Sequence, residues 1–330
     1  MKIDIITTEG SPRKVTIADI ENGVGGAELA LLSWAETMAK RCHQIRIYNN
    51  PRFSGMYSGV EFLPVNSIDY SEERDVLIMF RGGVENFRRP EKTKKVIGWS
   101  CDQYTNKPDY REWYNTVDKM VLISEFHRQD HINRYNPDVE KMIVIDLGVR
   151  DEYKPTEKKK QMLYCSVPDR GLGLLLDMWP TINRKYPDYE LVITSDYRLW
   201  GSPTPGNMQY RMKSIGLKNL RFLGKVPRSE LVKIQSESEL MIYPCNYDEL
   251  FCIAAAECQV AGAFPITTNT GALETTNFTG YKIKYPNGNL TGEFLQKLDN
   301  YFKSDKNITT LARERFDWNK ICGEWERLFE

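Results

Sequence analysis

The stretch that most constrains the fold is MIYPCNYDELFCIAAAECQVAGAFPITTNTGALETT, residues 241–276. An apolar run at 240–243 has strand character and ends in a polar turn at 244–248. Apolar residues then recur at helical spacing, from Leu250 and Phe251 through Ile253, Ala254, Ala256 and Val260. Gly262 stops that pattern, as a glycine just past a helix does. A second apolar run follows at 263–267. Strand, helix and strand in this order make a crossover between parallel strands. The same alternation runs through the chain. Strands are expected over 2–7, 43–48, 75–80, 95–99, 119–124 and 143–145, and again over 162–165, 190–194 and 220–223. The charged stretch DEYKPTEKKKQ at 151–161 separates the two series. Two Rossmann-like parallel-sheet α/β domains are expected, 1–155 and 156–312, and 330 residues suffice for both. Trp318, Ile321, Trp325 and Leu328 recur at helical spacing near the end, which predicts a packed closing helix over 313–330.

Ligands of such sheets bind outside the carboxyl ends of the strands, so a cleft between the domains is expected. Lys plus Arg and Asp plus Glu both number 45, a formal net charge of zero. That balance argues against a nucleic-acid partner and against strong docking on anionic lipid. The run RRPEKTKK at 88–95 is read as a solvated loop, with acceptor or phospholipid docking as the other reading; membrane contact is at most peripheral. The seven cysteines are scattered and form no CxxC pair. No run is long enough to span a bilayer, and the opening MKIDIITTEG lacks a signal-peptide core. A cytoplasmic protein is expected.

Glu249 and Glu257 are eight residues apart, about two helical turns, and on a helix would share a face. A helix starting near Leu250, Phe251 and Cys252 would offer free N–H groups to a phosphate, with the second acid below taking a ribose diol. The other reading makes Glu249 a helix-start acid and Glu257 a buried acid with a backbone partner. SVPDRGL at 166–172 sets a guanidinium and a glycine on a strand-to-helix turn, either a diphosphate clamp at Arg170 or a structural turn. Gly25 and Gly26 open a helix, where backbone N–H groups reach an anion or the chain merely turns. Asp102, just past a strand, is either a ligand for a sugar hydroxyl or a turn cap. His127 and Arg128 are read as surface polar residues.

The Glu249-x7-Glu257 element with the run ECQVAGAFPITTNTGALET resembles the donor-site signature of family-4 retaining glycosyltransferases, which have the GT-B fold. In that family the first acid contacts the transferred sugar and the second holds the ribose. GGAE at 25–28 resembles the family's glycine loop, and SVPDRGL its phosphate-binding turn, with Arg170 as clamp and Ser166 near the place of a second basic group. Gly224, Lys225 and Val226 match the turn that borders the nucleobase. Cys101 stands where the family often has a histidine, and Asp102 matches the aspartate after it. The resemblance implies metal-independent transfer from a UDP- or GDP-linked sugar to a carbohydrate, lipid-linked or other hydroxyl acceptor. No separate cofactor is expected. Two other readings stand beside it, a GT-B nucleotide-sugar epimerase and a catalytically silent nucleotide-sugar binding module.

Overall fold

The computed structural model describes residues 1–7, 14–105, 109–200, 202–303 and 309–330. The chain divides into two units. The first comprises Met1–Ile20, Gly26–Gly148 and Trp318–Glu330, the second Glu21–Gly25 and Val149–Asp317. Residues 8–13 of the polar stretch at 8–24 lie outside the described residues. Its later part forms a 3-10 turn, Ile17–Asn22.

The first unit carries β1 (Lys2–Thr7), α1 (Gly26–Lys40), β2 (Gln44–Tyr48), β3 (Gly55–Tyr57), β4 (Val60–Leu63), β5 (Arg74–Phe80), β6 (Thr93–Trp99), α2 (Tyr110–Thr116), β7 (Lys119–Leu122), α3 (Glu125–Tyr135) and β8 (Met142–Val144). Among the described residues its sheet has eight strands in the order β3-β4-β2-β1-β5-β6-β7-β8. Every pairing is parallel except the β3–β4 hairpin. Parallel sheets are covered on both faces, so their central strands read as unbroken apolar runs. Val76, Leu77, Ile78, Met79 and Phe80 of β5 are accordingly all buried. Trp34 of α1 packs edge-on against Trp99 at 5.7 Å and against Trp325 of the closing helix at 5.2 Å. Arg41 and His43 both pair with Glu326 of that helix, and the Arg41 hydrogen bond, with His43 behind it, pulls the Glu326 carboxyl down to about 2.

The second unit carries β9 (Lys159–Tyr164), α4 (Leu172–Lys185), β10 (Glu190–Ile193), α5 (Met208–Ser214), β11 (Leu220–Phe222), α6 (Arg228–Glu237), β12 (Ser238–Tyr243), α7 (Ile253–Val260), β13 (Phe264–Thr268), α8 (Leu273–Thr276), β14 (Tyr281–Ile283), α9 (Leu290–Phe302) and α10 (Thr309–Arg315). The closing helix of the chain, α11 (Trp318–Phe329), lies in the first unit. Among the described residues the second sheet has six parallel strands, β11-β10-β9-β12-β13-β14. The core joins Leu175, Trp179 and Ile182 of α4 to Leu191, Ile193, Met241 and Ile266 of the strands. Of the four apolar residues expected to pack in the closing helix, Trp318, Ile321 and Trp325 are buried and Leu328 is half-buried.

The helix expected from Leu250 begins instead at Ile253. Cys252 sits at its N-cap with φ 72° and ψ 75°, left-handed backbone that interrupts a helix. Leu250 and Phe251 keep the apolar spacing because both are buried, Phe251 edge-on to Phe316 at 5.9 Å. They anchor a turn, and Glu249 precedes the helix rather than opening it.

Candidate functional site

In the second unit, the carboxyl ends of β9, β12 and β13 bring the expected residues together. Arg170, on the turn leaving β9, places Nη1 2.7 Å from Glu249 Oε2. Its guanidinium lies over the Tyr247 ring at 3.6 Å, a cation–π contact. Tyr243, last in β12, donates its hydroxyl to Glu249 Oε1 at 2.6 Å. The Ser166 hydroxyl lies 3.0 Å from the same Tyr243 oxygen. Burial opposes the charge on Arg170, but Glu249 together with Tyr243, Tyr247 and Cys245 outweighs that and holds the pKa above the ordinary arginine value.

Two glycines make this geometry possible. Gly171 has φ 97°, and a Cβ there would stand 2.0 Å from the Pro244 carbonyl oxygen. The clamp turn therefore rests on the backbone that leads to Glu249. Gly271 has φ 57°, and a Cβ there would stand 2.6 Å from the Glu249 backbone nitrogen. From the same turn the Ala272 N–H donates to the Glu249 carbonyl at 2.7 Å. Glu249 is thus fixed from two sides by backbone that only glycine can form.

Glu257, in α7, is also buried, but its partners differ. Its Oε1 lies 2.7 Å from Arg228 Nη1, and Oε2 accepts from Gln235 Nε2 at 3.1 Å. The two acids do not share a helix face, which corrects the spacing argument, because the left-handed break at Cys252 separates them. Side chains still link their surroundings: Gln235 Nε2 also lies 3.9 Å from Cys165 Sγ, and Cys165 precedes Ser166. The turn of Gly224, Lys225 and Val226 leads into α6. The Lys225 N–H donates to Asp196 Oδ2 at 3.2 Å, and Arg198 Nη2 holds the same oxygen at 2.7 Å. Burial works against the Asp196 charge, yet these hydrogen bonds keep its carboxyl below the usual range.

The first unit has a second cluster at its strand ends. Arg81 follows β5 and grips Asp102 with two hydrogen bonds, Nε to Oδ2 at 2.6 Å and Nη2 to Oδ1 at 2.8 Å. Its Nη1 donates to Glu28 of α1 at 2.9 Å. Asp102 is therefore held by a fork of charge-assisted bonds, and its backbone carbonyl accepts from the Tyr110 hydroxyl at 2.7 Å. Burial, with Asp102 adding to it, pushes the neighbouring Cys101 thiol well up. Gly26 is the first residue of α1 and belongs to the first unit, while Gly25 groups with the second. His127 is not a surface residue. It is fully buried with Nε2 3.3 Å from the Asp102 carbonyl, because α3 turns it inward behind the Ser124 N-cap. Arg128 pairs with Glu125 in the same helix. The basic run at 88–95 is largely exposed, and three of its groups pair within the unit, Arg89 with Asp118, Lys94 with Asp75 and Lys95 with the Leu328 carbonyl.

Sequence reasoning passed over Arg81, Glu28, Tyr243, Tyr247, Arg228 and Gln235. Position was the available signal for three of them: Arg81 and Tyr243 sit at strand carboxyl ends, and Arg228 opens a helix directly after Pro227.

Residues 149–298 match the family described as glycosyl transferases group 1. No curated protein matches the sequence. Among solved structures, a glycosyltransferase from Rickettsia africae is similar at TM-score 0.72 and 16% identity, over 99% of this chain and 97% of that one. Sucrose-phosphate synthase from Thermosynechococcus elongatus is similar at TM-score 0.71 and 14% identity, over 100% and 98%. Anabaena HepE in complex with UDP-glucose is similar at TM-score 0.69 and 14% identity, over 99% of each chain. Two parallel-sheet units of this topology are the GT-B fold. Within it, the match to the glycosyl transferases group 1 family falls on the second unit.

Proposed function

We propose that the protein is a retaining, metal-independent hexosyltransferase of the cytoplasm that moves a sugar from a nucleotide sugar to an acceptor hydroxyl. The observation that carries this reading is the Arg170–Glu249 pair at the strand ends of the family-matched domain. A departing nucleoside diphosphate gains negative charge as the glycosidic bond breaks, and a guanidinium held in place stabilises that charge without reorganising. Glu249 orients Arg170 and offers carboxylate oxygens to the sugar hydroxyls. Glu257 takes the ribose. The Gly224–Val226 turn borders the base, and the turn amides at Leu250, Phe251 and Cys252 face the phosphates. Ser166 supports Tyr243 and through it Glu249. Gly25 and Gly26, at the start of α1, are assigned to phosphate, and Asp102 within its Arg81 fork to a sugar hydroxyl.

Retention uses the donor phosphate as base for the incoming hydroxyl, so no protein nucleophile is required. Metal independence is supported by the lack of a DxD-type carboxylate pair in the sequence. The bound UDP-glucose of HepE supports a nucleotide-sugar donor. No helix among the described residues is long and apolar enough to cross a membrane, consistent with an acceptor reached at most from the membrane surface. Screening nucleotide sugars with and without EDTA, alongside calorimetry with UDP and GDP, tests the reading. Expected are transfer or slow donor hydrolysis that survives EDTA, turnover lost in Glu249→Ala, and nucleotide affinity reduced in Glu257→Ala. Donor converted to its epimer without acceptor supports the epimerase reading instead. Binding with no turnover of any donor supports a silent binding module.

A further inference from the structure

We infer that Arg228, the first residue of α6, is a positioning residue for Glu257, and that it sets how strictly the site demands a ribose. The inference rests on the proposed role of Glu257 as the ribose acid.

Four side chains form a closed ring. Arg228 Nη1 faces Glu257 Oε1 at 2.7 Å, and Gln235 Nε2 donates to Glu257 Oε2 at 3.1 Å. The Tyr153 hydroxyl donates to Gln235 Oε1 at 2.7 Å, and Arg228 Nη2 returns to that hydroxyl at 3.2 Å. Outside the ring, Arg228 Nε donates to Glu152 Oε2 at 2.8 Å, and Arg150 Nε to Glu152 Oε1 at 2.7 Å. The arginine cannot swing away without breaking three contacts at once. The side chains of Arg228 and Glu257 are 6% and 5% exposed.

Stability alone is a weak explanation for such a ring. Apolar side chains of similar volume often join two helices as well as a buried ion pair does. What charges add is direction. Gln235 fills one acceptor position on Oε2. The Arg228 contact to Oε1 is close but poorly aimed, and among the described residues that oxygen accepts no hydrogen bond. The ring therefore fixes the plane of the carboxylate, with Oε1 buried against the guanidinium and Oε2 held by Gln235. A cis-diol has two hydroxyl donors a fixed distance apart, so it is sensitive to that plane. Sites built to hydrogen-bond a hydroxyl reject the analogue lacking it, because the acceptor is left unpaired. With Arg228 gone, the carboxylate is free to turn and loses this discrimination.

The test is calorimetry on the full chain with UDP and with its 2′,3′-dideoxy analogue, and the same pair for GDP. The wild type is expected to prefer the ribose form by about 100-fold, two charge-assisted hydrogen bonds' worth. In Arg228→Gln the preference should fall below about fivefold, and Arg228→Lys, which restores charge without the fork, should recover only part of it. A merely structural role weakens both nucleotides equally, and an unchanged preference in Arg228→Gln overturns the inference. Should melting curves show that Arg228→Gln does not fold, Gln235→Leu and Arg228→Lys carry the same readout, and an unchanged preference in both overturns it equally. Glu257→Gln separates the two levels. A collapsed preference there beside an intact one in Arg228→Gln sinks the inference alone. A preference intact in Glu257→Gln, or no binding of UDP or GDP to the wild type, sinks the donor-site reading and the inference with it.

Discussion

Each unit sets an arginine at the carboxyl end of its sheet, on a turn that needs left-handed backbone, but the two solve the backbone problem differently. In the second unit the left-handed residue is Gly171, with Arg170 beside it. In the first it is Arg81 itself, at φ 67°. Crowding accounts for the difference at Gly171, where a Cβ would strike the Pro244 carbonyl, so no side chain fits. The first turn accepts a side chain, and the cost of its strained backbone, on the order of 1–3 kcal/mol, is offset by the grip of Arg81 on Asp102 and Glu28. One clamp is shaped by close backbone contact and the other by charge. Strained backbone at a strand end points to function, and Arg81 is such a residue in the first unit, while glycine spares Arg170 that strain in the second.

The comparison breaks first, if it is wrong, at Gly171. Gly171→Ala adds both a clash with backbone and a disfavoured φ, and should destabilise the second unit by about 4 kcal/mol, near the upper end for a single substitution. Urea unfolding followed by circular dichroism measures it. A cost under about 1 kcal/mol means the turn relaxes easily and the steric account fails.

Next in size is the division of labour. Arg170→Met should weaken UDP or GDP binding by about 100-fold, the loss of a charge-assisted phosphate contact. Asp102→Asn keeps its shape and lies in the other unit, so nucleotide affinity should stay within about twofold. Calorimetry on both variants decides. Equal losses would erase the distinction between a nucleotide-binding unit and its companion.

How legible each clamp was follows from the same contrast. The meeting of Arg170 and Glu249 could be read in part, because SVPDRGL follows one strand and Glu249 follows another, whereas the eight-residue spacing to Glu257 suggested a shared helix face that the structure does not have. The parallel sheets could be read because their central strands are unbroken apolar runs, as in 76–80. What stayed hidden was of two kinds. The edge strands β3 and β14 have three residues each and read GMY and YKI, so no apolar run marks them, whereas the equally short MIV of β8 shows as one. The partners of the acids come from distant elements, as Arg228 comes to Glu257 and Arg81 to Asp102, and local spacing carries no trace of them. The left-handed break at Cys252 was hidden for another reason. The apolar pattern passes straight through it, because Leu250 and Phe251 are buried although they stand outside the helix.

The smallest effect concerns acid, and it separates the units by composition. All three histidines, His43, His127 and His131, fall in the first unit. Burial lowers His127 to about 3, and burial together with His127 lowers His131 to about 2. Their hydrogen-bond neighbours are neutral, Ser100 and the Asp102 carbonyl at His127 and the Tyr114 hydroxyl at His131, and the charge of Arg134 adds to the lowering at His131. Both imidazoles stay neutral in the folded chain at pH values where the unfolded chain binds a proton on each. Between about pH 6.5 and 3 the unfolded state therefore holds more protons, and stability falls as pH is lowered through that window. By pH 5.5 each histidine should have removed about 1.4 kcal/mol relative to pH 8. Urea titrations at the two pH values, followed by tryptophan fluorescence, read this out, since Trp34, Trp99, Trp113, Trp318 and Trp325 all lie in the first unit. His131→Phe should flatten the slope by about one proton. If the slope survives in that variant, the His131 imidazole is already charged in the folded state, and burial does not keep it neutral.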